Sequence, residues 1–112
     1  MRNITIGTCA ALVLMEASDG NAGTVTGTVS AVITRASDGL TYAAITGTPS
    51  GQPACATHAY WMIMNETSET GKRQYAMLIT AKVAGTSVTI IGNNTCTRWA
   101  DGEDINSIEL GP

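Results

Sequence analysis

Residues Thr24 to Gly47 read TVTGTVSAVITRASDGLTYAAITG, and this stretch decides the fold class. From Thr24 to Arg35, Val25, Gly27, Val29, Ala31 and Ile33 fall on one side and Thr24, Thr26, Thr28, Ser30 and Thr34 on the other. Successive side chains of a strand point to opposite faces, so this period of two predicts one half-buried strand. Asp38-Gly39 predicts a hairpin turn, because both residues accept the positive φ that a tight turn needs. Leu40 to Gly47 is the expected returning strand.

Beyond this hairpin, Thr48 to Thr57 (TPSGQPACAT) carries two prolines and a glycine and reads as a loop. His58 to Met64 is a third expected strand, with Ala59, Trp61 and Ile63 on one face and His58, Tyr60, Met62 and Met64 on the other. Asn65 to Thr70 is polar and rich in capping residues. Lys72 to Ala84 loses the period of two; Tyr75, Leu78 and Ile79, with Lys82 less cleanly, share one helical face, and Gly85 is a natural stop. Ser87 to Gly92 is a fourth strand. Gly92-Asn93-Asn94 and Asp101-Gly102 turn the chain, and Ile105 to Leu110 is the fifth strand. The sequence therefore predicts a mainly β domain, a β-barrel with one helix in the order β-β-β-α-β-β. That is the order of the OB-fold. An open α+β sheet with the helix on one face is the alternative.

The first residues have a different character. Met1-Arg2-Asn3 is a short basic start, Ile4 to Met15 (ITIGTCAALVLM) is uncharged and mostly apolar, and Gly20-Asn21-Ala22 offers small residues where a signal peptidase reads them. This is the layout of a secretory leader over residues 1–22, cleaved after Ala22, ahead of a single domain over 23–112. The apolar run is too short to span a bilayer, so no membrane insertion is expected once the leader is removed. Of the three cysteines, Cys9 falls in the leader. Cys55 and Cys96 remain, each in a polar loop, and two thiols in an oxidising compartment normally pair. The expected location is secreted or periplasmic.

Composition narrows the function. The chain has 112 residues, 13% of them charged, and a net charge of −3. Loss of Arg2, Glu16 and Asp19 with the leader leaves −2. A mildly acidic domain lacks the basic stripe that nucleic acid demands, so no nucleic-acid partner is expected. His58 is the only histidine, and no serine or cysteine stands in a nucleophile motif such as G-x-S-x-G. No catalytic residue is therefore assigned, and the chain reads as non-enzymatic. Two distant cysteines and one histidine are too few for structural zinc. Asp101, Glu103 and Asp104 match no calcium loop and read as solvated turn residues, so no metal and no cofactor are expected. Asn65-Glu66-Thr67 and Asn93-Asn94-Thr95 are glycosylation sequons only in a eukaryotic secretory pathway.

Val32-Ile33-Thr34, Tyr42 with Ile45 and Gly47, Ala54-Cys55-Ala56, the single helix, Gly85-Thr86-Ser87-Val88-Thr89-Ile90 and a late cysteine together resemble the binding subunits of AB-type bacterial toxins, in the branch of subtilase cytotoxin and typhoid toxin. The resemblance implies an exported OB-fold chain that closes into a pentamer and binds a cell-surface glycan. The family's sugar-contacting serine of the first strand falls near Val29 or Ser30, one position out of register, which makes Ser30 a candidate. Arg98 and Trp99, between the last two strands, are the other ligand-binding candidates; Trp99 either stacks on a sugar or covers the disulfide as part of the core. A homo-oligomer is a further expectation. With Tyr75, Leu78 and Ile79 turned inward, Met77 and Ala81 should point away, leaving the helix apolar on more sides than one domain covers. The rival function is a structural or assembly protein of the bacterial envelope with no small ligand.

Overall fold

A computed structural model of the chain describes residues 22–111, so the expected leader, up to Asn21, lies outside the described residues. The elements are β1 (Thr24–Gly27), β2 (Val29–Thr34), β3 (Thr41–Ile45), β4 (Trp61–Met62), α1 (Glu69–Ala84), β5 (Val88–Gly92) and β6 (Glu103–Leu110). The strands form a six-stranded mixed sheet in the order β1-β5-β6-β4-β3-β2. The β4–β6 pair is parallel and the other pairs are antiparallel. The domain is mainly β with one helix. The sheet is not closed: β1 and β2 are its two edges.

The expected single strand over 24–35 is instead two strands, and this changes which side chains are buried. The break falls at Thr28, whose backbone N–H donates to Thr46 Oγ1 at 3.0 Å and whose carbonyl accepts from Thr46 N–H at 2.9 Å. Here the chain leaves its β5 neighbour and joins β3. The backbones cross closely at this corner: a Cβ on Gly47 would collide with the Thr26 carbonyl, and one on Gly27 would press on Gly47 N. Gly47→Ala should therefore lower stability by about 1–3 kcal/mol through overpacking, read as a lower urea midpoint. An unchanged midpoint would mean that the corner can relax.

A second departure follows at Ser30. Val29 pairs with Ile45 but Ala31 pairs with Ala44, so Ser30 is an extra residue in β2. A bulge shifts the alternation by one, which moves every later side chain to the other face. Val32 pairs with buried Ala43 and packs against the core, whereas Ala31 and Ile33, expected beside Val29, lie on the opposite face with Ala44 and Tyr42. The outer face of β2 and β3 is consequently apolar and partly exposed.

The core joins both parts of the sheet to the helix: Val25, Val29, Trp61, Ile63, Leu78, Val88, Ile90 and Ile105 are all buried. Trp61 and Ile63 point inward, as their alternation with Tyr60 and Met62 predicts. Only Trp61 and Met62 of the expected third strand pair as a strand. Ser68 caps α1 by accepting Gly71 N–H on its Oγ at 3.0 Å, and Gly85 ends it in the left-handed region with φ 70°. The buried stripe of the helix is Gly71, Gln74, Leu78 and Ala81. The expected stripe holds only at Leu78: Tyr75 is 44% exposed and Ala81 is fully buried, not pointing away. Gln74 is inward because its Nε2 donates to the Asn106 carbonyl at 3.0 Å, and Gly71 because only a residue without Cβ fits against the Asn65 carbonyl. The stripe is thus set by small size and a polar partner as much as by hydropathy.

Candidate functional site: an aromatic platform beside the disulfide

Four aromatic or heteroaromatic side chains meet outside the core. Tyr42, on the outer face of β3, lies opposite Ile33 on one side and Met62 on the other. Its ring meets Tyr60 edge to face at 5.1 Å between centroids and lies 6.1 Å from Trp99. His58 stacks on Trp99 at 5.4 Å with the two planes 5° apart. Tyr60 and His58 are exposed, and Tyr42 and Trp99 are half-buried. Met62 is buried although it lies on the outer face. The segment from Trp99 to Gly102 covers it: a Cβ on Gly102 would press on Met62 Cε and lie 3.4 Å from Trp99.

The segment that carries Trp99, residues 93–102, is held from three sides. Cys96 is bonded to Cys55, with their Cα atoms 6.2 Å apart, as the cysteine count predicts. Asp104 is fully buried and accepts from Thr95 Oγ1 (2.7 Å), Thr97 N–H (2.9 Å), Thr97 Oγ1 (2.7 Å) and Arg98 N–H (3.2 Å). Burial by itself would raise the Asp104 pKa; these donors outweigh it and hold the carboxyl below its ordinary value. Arg98 makes the third tie. Its Nε donates to Glu66 Oε2 at 2.9 Å and its Nη2 to the Asp38 carbonyl at 2.8 Å, so it joins this segment to the β2–β3 turn and to the approach to α1. Asp38 is also gripped by Arg35, through bonds of 2.9 and 3.0 Å, and by Leu40 N–H at 3.1 Å. The Arg35 hydrogen bond above all keeps the Asp38 carboxyl well below the usual range.

Trp99 is half-buried and stacks on His58. Arg98 stands behind it, with its guanidinium occupied by Glu66 and Asp38, and so positions the loop. Ser30 sits at the bulge and donates to the Ala44 carbonyl at 3.1 Å. It lies three residues along β2 from Ile33, the partner of Tyr42, or about 10 Å. Glu103 and Asp104, expected as solvated turn residues, are both fully buried and begin β6, two residues earlier than expected. Asp101 alone of the three is exposed, and its carbonyl accepts His58 N–H at 3.0 Å. Among the described residues no three His, Cys, Asp or Glu side chains gather as metal ligands. His58, Tyr42 and Tyr60 are the site residues the sequence reading missed. The alternation at Tyr60-Trp61 already placed Tyr60 outside; nothing local signals that His58 meets Trp99.

Two concave surfaces lie elsewhere. A mostly apolar groove of about 350 Å³ runs between β2–β3 and the start of α1, lined by Thr34, Thr41, Ile63, Glu66 and Tyr75 among others. Its carboxylate, Glu66, is already engaged by Arg98 and by Thr41 N–H at 3.2 Å, and Lys72 is the other charged residue of the lining. A smaller groove of about 240 Å³ opens on the other side of the same helix end, beside Asn65, Gln74 and Asn106. In the aromatic cluster His58 and Tyr60 are exposed, and Tyr42 and Trp99 are half-buried. Comparison of the chain with family models, curated proteins and solved structures gives no match.

Proposed function

We propose that this chain is a non-enzymatic, exported binding module of OB-fold type that holds a neutral, polyhydroxylated ligand, a cell-surface glycan, on Tyr42, His58, Tyr60 and Trp99. The observation that carries the reading is the parallel His58–Trp99 stack set beside Tyr42 and Tyr60. Aromatic faces carry partial negative charge and attract the polarised C–H face of a sugar ring. The strand order supports the OB reading. β1 and β2 are consecutive in the chain yet stand at opposite edges of the sheet, as the two halves of one strand do when it bends to serve both sides of a small barrel. OB-folds bind oligosaccharides and oligonucleotides on the second and third strands and the loops beside them. On this reading those parts are β3, β4, the 35–40 turn and the 93–102 segment; Tyr42 and Trp99 lie on them, and His58 and Tyr60 come just before β4.

Charge separates the two ligand classes. Stacking alone serves a nucleobase as well as a sugar, but single-stranded nucleic acid also needs a cationic groove along its phosphates. Here Arg98 and Arg35 are both neutralised by carboxylates, and the chain is acidic overall. The disulfide supports an oxidising compartment, and no helix among the described residues is long and apolar enough to cross a membrane.

The test is a glycan-array screen followed by titration of the best hit. Trp99→Ala should weaken binding roughly tenfold or more, the equivalent of one lost stacking contact of about 1.4 kcal/mol, and Arg98→Lys less. Undiminished binding by the Trp99 variant, or a preference for single-stranded oligonucleotides over every glycan, would reject the assignment. Self-association is a second element of the proposal, and it rests on different residues from those first expected. Tyr75, Ile79 and Val83 follow at i, i+4 and i+8 on the helix, and Tyr75 and Val83 are 44% and 84% exposed. A homo-oligomer that covers this edge should appear in light scattering at micromolar concentration and dissociate in Val83→Lys; a monomer rejects it.

A further inference from the structure

Glu103 is fully buried at the start of β6, and its two carboxylate oxygens are unequally served. Oε2 accepts Gly23 N–H at 3.0 Å and Asn94 N–H at 2.9 Å. Oε1 has no hydrogen-bond partner. Among the described residues no cation pairs with this carboxylate: the arginines that form ion pairs, Arg35, Arg73 and Arg98, reach Asp38, Glu69 and Glu66. A buried carboxylate held by two neutral donors and no counter-charge is costly. Two glycines crowd this carboxylate: a Cβ on Gly92 would collide with Oε2, and one on Gly23 would collide with Oε1 and with Gln52 Cγ. The residue that the leader pattern makes first after cleavage therefore lies against the one carboxylate oxygen that lacks a donor.

We propose that the chain is processed between Ala22 and Gly23, and that the α-ammonium so created is received by the buried carboxylate of Glu103. Water, delivered by a peptidase that reads the small residues Gly20 and Ala22, adds to the Ala22 carbonyl carbon. The carbon–nitrogen bond breaks, Ala22 leaves as a carboxylate, and the Gly23 nitrogen takes up protons to become an ammonium. The nitrogen thereby exchanges one N–H for three and gains a unit of positive charge. One donor keeps the existing bond to Oε2, and a second serves Oε1, so the carboxylate acquires its counter-ion and its missing hydrogen bond together. Because Gly23 is buried, cleavage must precede folding of this end. The anchors of the new terminus lie downstream of the cut and survive it. The Gly23 carbonyl accepts Gly92 N–H at 2.8 Å, and Thr24 exchanges bonds of 2.9 and 3.0 Å with Ser50. Processing thus completes the folded structure as well as releasing the leader. The neutral rival for Oε1 is Gln52, whose buried Nε2 is also unpartnered and whose rotation could supply a donor without any cleavage.

The full chain, expressed with its leader in a secreting host, should yield a protein that begins at Gly23 by N-terminal sequencing and intact mass. In competitive acetylation the folded protein should protect its α-amine at least about tenfold relative to the urea-unfolded protein, while exposed Lys72 and Lys82 react at similar rates in both. Oxidised chains that begin at Gly23 and at Ala22 should differ about tenfold or more in their folded-to-unfolded ratio, in favour of Gly23. Glu103→Gln should abolish that difference. A terminus at another residue, an α-amine as reactive as the lysines, or equal stability of the two chains would overturn the proposal; the last result would assign Oε1 to Gln52.

Discussion

Asp104→Asn should lower the stability of the folded domain by roughly 3–5 kcal/mol at neutral pH. The carboxylate is fully buried and receives two threonine hydroxyls and two backbone N–H groups. An asparagine keeps one oxygen acceptor and turns an NH₂ group toward the donors that met Oδ2, which leaves them unpaired in the interior. The acid limb should change as well. The folded-state pKa of Asp104 lies below its unfolded value of about 3.9, so the unfolded chain binds the proton more tightly. Its stabilisation is therefore complete above the unfolded pKa and is lost as pH falls through the folded one. Urea unfolding of wild type and variant at pH 7 and pH 3 measures both. The gap between them should narrow in acid. Asp38, also held low, is exposed on its turn, so its share of the acid sensitivity should fade in added salt while that of Asp104 persists. A variant within 1 kcal/mol of wild type, with the same acid limb, would show that the four bonds do not form together in solution. Because these bonds hold the segment that bears Trp99, the variant should also lose ligand affinity under conditions where it remains folded.

Removing the disulfide with the pair Cys55→Ala and Cys96→Ala should cost about 2–5 kcal/mol. The bond closes a sequence separation of 41 residues, and the chain-entropy argument assigns about 4 kcal/mol to a loop of that size. The domain is small, so this is a large share of the 5–15 kcal/mol that typically separates folded from unfolded states. The site should feel the loss too, since the bridge ties the 93–102 segment to the long loop that leads to His58. Denaturant midpoints with and without reductant give the stability term. Trp99 mobility, read by fluorescence anisotropy at low denaturant, gives the local one. If reductant moves neither, the bridge is a bystander to the fold.

Features that depend on near neighbours or on counting were legible in the chain alone. The Tyr60-Trp61 alternation put one ring in the core and the other outside. Gly85 ended the helix, because only the local backbone needs to visit positive φ there. The pairing of Cys55 with Cys96 followed from their being the two cysteines outside the leader pattern. The remaining features depend on partners distant in the chain. At Ser30 the alternation is unbroken on paper, yet pairing with β3 inserts a bulge and carries Ile33 to the face of Tyr42. On the helix, hydropathy favoured Tyr75, but the interior selected Gln74 and Ala81, one for a carbonyl waiting on β6 and one for its size. Glu103 and Asp104 read as turn carboxylates because nothing adjacent in sequence announces their donors; those arrive from Gly23, Asn94, Thr95, Thr97 and Arg98 once the sheet has formed. The platform has the same origin, since Tyr42, His58, Tyr60 and Trp99 come from three separate segments. Strand period, caps and cysteine number are properties of short stretches of chain, whereas a register shift or a buried charge is stable only through partners that folding itself brings into reach.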